Sequence, residues 1–347
     1  MDMNDITGLV RSGRLGDATD AIRRRLGGDA APARDPQGDP GDAAGTMRDV
    51  TPRARAIPGP AAPASARPAS APRQEAGRAA SGRTERLSGP LAPLLYHPSA
   101  PAAEAPLIVM LHGCTQNPED FARGTRMNAV AEAHGAYVLW PGQPRSANAN
   151  GCWNWFEPDQ KGETRALAAL AEEVLARTGA DPRRVHAAGL SAGGAMAAAL
   201  AAARPDLFAS VGIHSGLGAG IASDMPSAFG AMAGRGAAPA ALEVPAIVIH
   251  GTADRTVVPA NGAAIAAAGR GKDSPRPRRR QGEAGGRRFA RTVLPAAPGA
   301  AEVELIEVDG LAHAWSGGGA GGSHTDVAGP DASELMMRFF LAHPRGA

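Results

Sequence analysis

Short apolar runs separated by helix-length stretches govern what residues 107–341 can become. Leu107-Ile108-Val109-Met110-Leu111 is apolar at every position and stops at His112-Gly113. Ala136-Tyr137-Val138-Leu139-Trp140 repeats the style and stops at Pro141-Gly142. Segments from Arg184 to Gly189, Ala209 to His214, Pro245 to His250 and Val303 to Val308 read as further strands, the last paired with Arg288 to Leu294. Glu163 to Arg177 sets Leu167, Leu170, Val174 and Leu175 on one side of a helix, and Asp331 to Leu341 is helical. Ala192 to Ala203 is an alanine-rich helix whose small side chains allow close packing on a sheet. Strands without a polar face must be covered on both sides, and strands alternating with helices pair in parallel. The expectation is an α/β fold with a mainly parallel central sheet flanked by helices.

The first part of the chain is different material. Of 347 residues, only seven Phe, four Trp and two Tyr are aromatic, and none precedes Tyr96. Residues 1–27 read as an amphipathic helical segment, with Ile6, Leu9, Val10, Leu15, Ile22 and Leu26 forming an apolar stripe and Gly27-Gly28 stopping it. Residues 28–90 hold ten prolines among Ala, Gly, Ser, Arg and Asp. Such a stretch buries too little apolar area to offset chain entropy and reads as a disordered linker. The folded α/β domain is therefore expected over 91–347. The start carries acids and arginines where a signal peptide needs an apolar stretch, so the sequence points to a cytoplasmic chain. Set beside the family resemblance given below, residues 1–27 are a candidate dock for a partner surface.

Charge excludes some classes. A formal net charge of +2, from 36 basic and 34 acidic residues, fits neither a general nucleic-acid binder nor an acidic solvating chain. No run of apolar residues is long enough to span a membrane. Residues 270–291 concentrate nine Arg or Lys against two acids, with one aromatic, Phe289, and none interleaved in the basic run 270–280 for base stacking. A solvated, mobile insertion is the reading taken there over a patch for an anionic partner.

Gly189-Leu190-Ser191-Ala192-Gly193 carries the chemistry. It matches G-x-S-x-G, in which a strand turns sharply into a helix and leaves a strained serine exposed at the tip. Flanking glycines let strand and helix approach, and the Ala192 amide lies at a helix N-terminus, suited to an oxyanion. The serine needs a base and an orienting acid, in the chain order Ser, acid, His. Asp254 lies just beyond a strand end, with Asp224 and Asp309 as weaker competitors; His313 follows the last strand. His324 and His343 are the other histidines downstream of Asp254, one in a Gly-rich loop and one at a helix end. His112-Gly113-Cys114 ends the first strong strand, where a second oxyanion amide is expected from Cys114 or Thr115; the His112 ring reads as structural. Cys114 and Cys152 are the two cysteines, free or bridged, and a stable bridge would argue against the cytosol. No C-x-x-C or H-E-x-x-H occurs, so no metal site is expected, and serine chemistry calls for no cofactor.

At LHGCTQN (111–117), GCWNWF (151–156), GLSAGGAMA (189–197), HGTADRTVVP (250–259), GLAHAWSGG (310–318) and GPDASELMMRFF (329–340) the chain resembles the polyhydroxybutyrate depolymerase family of esterases, relatives of feruloyl and acetylxylan esterases. The resemblance implies an α/β-hydrolase fold without a large cap domain. It implies hydrolysis of carboxylic esters, foremost short-chain polyhydroxyalkanoate polymer or oligomers, with polysaccharide feruloyl or acetyl esters as the alternative. A non-catalytic granule-binding protein is the third reading, which a complete Ser191, Asp254, His313 set disfavours; with the resemblance, residues 1–27 become a candidate dock for a granule surface or a protein partner. The resemblance also implies an oxyanion hole from Cys114 and Ala192, a Cys114–Cys152 disulfide, and a substrate crevice lined by Trp153 and Trp155; Trp315, beside the His313 loop, is the third candidate for that lining by its position.

Overall fold

The computed structural model describes residues 82–157 and 162–346. The expected N-terminal helical segment, and the linker up to residue 81, lie outside those residues. Twelve strands and seven helices follow in chain order: β1 Arg83–Arg86, β2 Leu94–His97, β3 Leu107–Leu111, α1 Pro118–Thr125, α2 Met127–His134, β4 Tyr137–Trp140, α3 Glu163–Thr178, β5 Val185–Leu190, α4 Ala192–Ala203, β6 Ser210–His214, α5 Met225–Met232, β7 Ala246–Gly251, α6 Ala260–Ala267, β8 Arg278–Ala284, β9 Arg287–Leu294, β10 Val303–Val308, β11 Trp315–Ser316, β12 Thr325–Asp326 and α7 Ala332–Ala342.

Ten strands form one sheet in the order β1-β2-β4-β3-β5-β6-β7-β10-β9-β8. The centre, from β4 through β10, is parallel; β1 and β2 on one side, and β9 and β8 on the other, are antiparallel additions. Period-two alternation sorts the apolar runs into two cores. Leu107, Val109, Val185, Ala187, Ala246 and Val248 face α3, α4, α5 and α6. Ile108, Met110, Ala188, Leu190, Ile247 and Ile249 face Phe121 of α1, Met127 and Ala131 of α2, and Met336, Met337 and Phe340 of α7. Both faces of the sheet are thus dry, which is why these strands carry no polar alternation. Local signals set the helix starts: Asn117 Oδ1 accepts from the Asp120 amide at 2.8 Å, and Asp331 Oδ1 from that of Glu334 at 3.1 Å.

Two expectations are corrected. Residues 83–86, assigned by composition to the linker, are an edge strand: β1 pairs with β2 in register Arg83↔His97 to Arg86↔Leu94, and the next residue, Leu87, is buried. The arginine-rich 270–291 stretch is not a loose insertion, because Arg278–Ala284 and Arg287–Leu294 form a hairpin on the far edge of the sheet. Arg279–Glu307 (2.9 Å) and Arg291–Glu304 (2.6 Å) tie it to β10, and a charged last strand resists further edge pairing.

Candidate active site

Ser191 sits between β5 and α4 at φ 57°, ψ −120°. The left-handed backbone is held by its amide donating to His214 O (2.9 Å) and by its carbonyl accepting from the Ala195 amide (2.9 Å). Such strain persists only where the surroundings over-determine it. Here they do: a Cβ at Gly193 would lie 2.0 Å from Leu111 O, and one at Gly189 would lie 2.3 Å from Gly193 C. Only glycines let α4 begin directly against β3 and β5.

Asp254 follows β7 and is 3% exposed. Its Oδ1 accepts from the amides of Thr256 (2.9 Å) and Val257 (3.0 Å), and its Oδ2 lies 2.8 Å from His313 Nδ1. Burial pushes the carboxyl up, but the bonds from His250 and His313 outweigh it and leave it well below the usual carboxylate range. An ionised carboxylate only accepts, so His313 Nδ1 carries the proton and Nε2 is left as a base. The two residues meet because their loops are stitched together. Thr252 N donates to Val308 O (3.0 Å), Ala253 N to Leu311 O (3.0 Å), and Gly310 N to Thr252 Oγ1 (2.9 Å). The competing acids are elsewhere: Asp224 caps α5 through Ser227, and Asp309 pairs with Arg288 at 3.6 Å. His343 ends α7, with Nδ1 2.7 Å from Phe339 O.

The turn after β3 lies beside the serine, with the Cβ position of Gly113 3.7 Å from Ser191 Cβ. Within it, Gly113 N donates to Gln116 Oε1 (2.9 Å), Thr115 N to Asn150 O (2.8 Å) and Gln116 N to Gly113 O (3.3 Å). Among the described residues of the turn, that leaves the Cys114 amide, rather than that of Thr115, uncommitted. Cys114 is bridged to Cys152. His112 is structural: its Nε2 accepts from the Gln143 amide (3.1 Å), so Nδ1–H donates to Gly113 O (2.8 Å), and burial lowers its pKa. Burial likewise pushes His214, stacked on Trp315, down to about 3.

The three tryptophans divide. Trp155 lines the space beside Ser191. Trp153 does not; it is fully buried, with Nε1 donating to His112 O at 3.1 Å. Trp315 is fully buried too, donating to Ser333 Oγ at 3.2 Å and packed edge-on against Phe121. Both indoles hold the loops of the site from behind instead of facing a substrate, because each N–H finds its partner inside the protein.

Ser191 stands where two compartments meet. On one side a small apolar pocket of about 90 Å³, open to solvent, is lined by Trp155, Phe156, Leu217, Met225, Phe229 and Met232. On the other, a broader cleft holds Thr115, Gln116, Arg255, Thr256, His313 and His324. The α5 residues were missed in sequence, although Met225, Phe229 and Met232 have helical spacing that marks one face. Among the described residues, α5 is the only helix between β6 and β7, so no separate cap closes the site.

This sheet order and serine turn define an α/β-hydrolase. The fold is similar to that of an acetyl xylan esterase from Aspergillus awamori (TM-score 0.51, 18% identity, 67% of this chain and 94% of that chain). Residues 91–269 match the family described as Esterase PHB depolymerase, and the chain belongs to that family. Among its relatives, Poly(3-hydroxyalkanoate) depolymerase C of Paucimonas lemoignei is 37% identical over 183 residues, 47% of this chain and 44% of the relative. Poly(3-hydroxybutyrate) depolymerase of Ralstonia pickettii is 30% identical over 271 residues, 70% of this chain and 54% of the relative. The chain thus spans about half the length of these relatives.

Proposed function

We propose that the protein is a serine esterase that hydrolyses short-chain polyhydroxyalkanoate polymer or oligomers through an acyl-enzyme. The observation that carries this reading is the 2.8 Å contact of His313 Nδ1 with a buried Asp254, in a cleft that Ser191 also lines. Membership of the Esterase PHB depolymerase family and the names of the two relatives support the substrate class.

In the reaction, Ser191 Oγ attacks the ester carbonyl while His313 Nε2 takes its proton. The oxyanion is held by the amides of Cys114 and Ala192, the second at the positive end of α4. The acyl–oxygen bond breaks, His313 returns the proton to the leaving alcohol, and water repeats the sequence on the acyl-enzyme. Asp254 holds His313 in the required tautomer. The apolar pocket suits the acyl chain.

The test is hydrolysis of hydroxybutyrate oligomers, nitrophenyl esters, and feruloylated or acetylated sugars by the full chain and by Ser191→Ala. The variant should lose several orders of magnitude in kcat on every ester that the wild type cleaves. A variant that keeps its rate overturns the serine mechanism. Preference for sugar esters over hydroxybutyrate oligomers overturns the substrate class.

A further inference from the structure

We propose that Gln116 is a positioning residue for the oxyanion hole. Its side chain and backbone together hold the peptide units on both sides of Gly113, which aims the Cys114 amide at the oxygen that becomes charged when Ser191 attacks. This rests on the esterase reading above and deepens it.

Two peptide units flank Gly113. In the one before it, the Gly113 N–H donates to Gln116 Oε1 at 2.9 Å. In the one after it, the Gly113 carbonyl accepts from Gln116 N at 3.3 Å and from His112 Nδ1 at 2.8 Å. That carbonyl shares a planar trans peptide with the Cys114 N–H, and the two point in opposite directions. Fixing the carbonyl therefore fixes the amide. The His112 ring holds the second unit alone, whereas Gln116 holds both.

Gln116 is itself gripped from the far side. Its Nε2 donates to Asp120 Oδ2 (3.0 Å) and to Ser323 O (3.0 Å). Asp120 Oδ1 accepts from Ser323 N (3.0 Å), and Oδ2 accepts from Ser323 Oγ. Burial pushes the Asp120 carboxyl up, but the bonds from Ser323 and Gln116 outweigh it and keep it below the usual carboxylate range. An ionised carboxylate and a carbonyl only accept, and the Gly113 amide only donates. The Gln116 amide therefore has one orientation, with Nε2 towards Asp120 and Ser323 and Oε1 towards Gly113. Both anchors are fixed in turn. Asp120 N donates to the α1 cap, Asn117 Oδ1, at 2.8 Å. Ser323 arrives on a loop pressed against α1, where a Cβ at Gly322 would lie 2.3 Å from Gly124 Cα. Gln116 is 7% exposed, so little water competes for its amide.

The effect belongs to the transition state. A hole donor stabilises an oxyanion more than the ester carbonyl it comes from, and does so only if it is in place before the charge develops. Without Gln116 Oε1 the first peptide unit of the turn is free to rotate, and the Cys114 amide must be re-aimed in each turnover. The loss should appear in kcat and leave KM nearly as it is.

The experiment measures kcat and KM on an ester that the wild type cleaves, and inhibition by butylboronic acid, whose tetrahedral adduct with Ser191 puts an oxygen in the hole. It uses the full chain as wild type, Gln116→Met and Gln116→Glu, each with a thermal melt. Q116M should lower kcat about 10- to 100-fold, at most the loss of a whole donor, and weaken the boronic acid by a similar factor with KM within about threefold. Q116E sets a carboxylate against Asp120 at about pH 8 and should lose as much. On acidification it takes up a proton and regains a donor beside its acceptor. Its kcat relative to wild type at the same pH should then rise about fivefold or more by roughly pH 5.5, a recovery that a space-filling role would not give. Unchanged kcat and boronic acid inhibition in Q116M overturn the Gln116 assignment and leave the esterase reading standing. If Q116M does not fold, a Q116E to wild-type ratio that is flat with pH overturns it instead. If the wild type cleaves no ester, the esterase reading falls and takes this one with it.

Discussion

Asp254 shows how much a single side chain can be asked to do. Its two oxygens accept from two backbone amides and from His313, so it can neither rotate nor take a proton without breaking a bond. Asp254→Asn would keep the shape and put a donor opposite His313 Nδ1, favouring the wrong tautomer. kcat should fall on the order of 10⁴-fold, a loss known for that substitution in serine proteases, with little change in melting temperature. Steady-state kinetics beside a thermal melt checks this, and a loss under tenfold would remove Asp254 from the mechanism. At this scale the turn at Ser191 and the pairing of Asp254 with His313 were readable as candidates, because each residue follows a recognisable strand in the order a serine hydrolase needs. Trp153 and Trp315 were not. An indole in a motif loop has the same signature whether it faces substrate or core, and only the position of His112 O and Ser333 Oγ decides.

At the scale of elements, the site depends on how close α4 comes to β3. Gly193→Ala would drive a Cβ into the backbone oxygens of Leu111 and His112, 2.0 and 2.5 Å away, where no flexible side chain can yield. We expect destabilisation beyond the roughly 1–3 kcal/mol of ordinary overpacking, together with loss of activity. Gly271→Ala, with nothing within 4 Å of its new methyl, should be neutral in the same urea titration. Equal midpoints for the two variants would refute the packing argument. The Cys114–Cys152 bridge joins the oxyanion turn to the segment before Trp153 across 38 residues. Replacing both by Ser should cost about 2–4 kcal/mol in stability. It should also lower kcat, by less than the ~10² that a lost oxyanion donor costs. Denaturant midpoints and kcat measured on the same preparation decide it, and an unchanged kcat would show that the turn holds its shape without the bridge. The central strands and α3, α4 and α7 were legible from periodicity. So was β9, read from sequence as Arg288 to Leu294 paired with β10; β1 and β8 were not, since their charged sequences become strands only through the partners β2 and β9.

For the whole molecule, two histidines couple stability to acid. His186 and His214 are fully buried, and burial pushes both down to about 3. In the unfolded chain each takes up a proton near pH 6.5. Below that value the unfolded state binds protons that the fold does not, so stability falls as pH drops from about 6.5 towards 3. The slope approaches about 1.4 kcal/mol per pH unit for each histidine. Asp254, depressed in the fold, adds to the loss only below the usual carboxylate range. His186 stacks on Phe340 at the other core face from α4, away from the site residues. His186→Gln should therefore reduce the slope between pH 6 and 4 by about 1 kcal/mol per pH unit, with His214 and the other depressed histidines, His97, His112 and His324, supplying what remains, read from urea midpoints at each pH. Parallel slopes for variant and wild type would overturn the assignment.

The sequence alone determined the fold class, the order of the central elements and the three candidates Ser191, Asp254 and His313. These depend on local periodicity, on a strand–turn–helix signature and on chain order, all of which are written along the chain. Tertiary structure decided what depends on neighbours distant in sequence. It put Trp153 and Trp315 in the interior, made strands of the charged sheet edges, and brought α5 to the apolar side of Ser191 with Arg255 on the other. Which face of a turn meets solvent, and what stands opposite a charged strand, are properties of packing, and no local pattern encodes them.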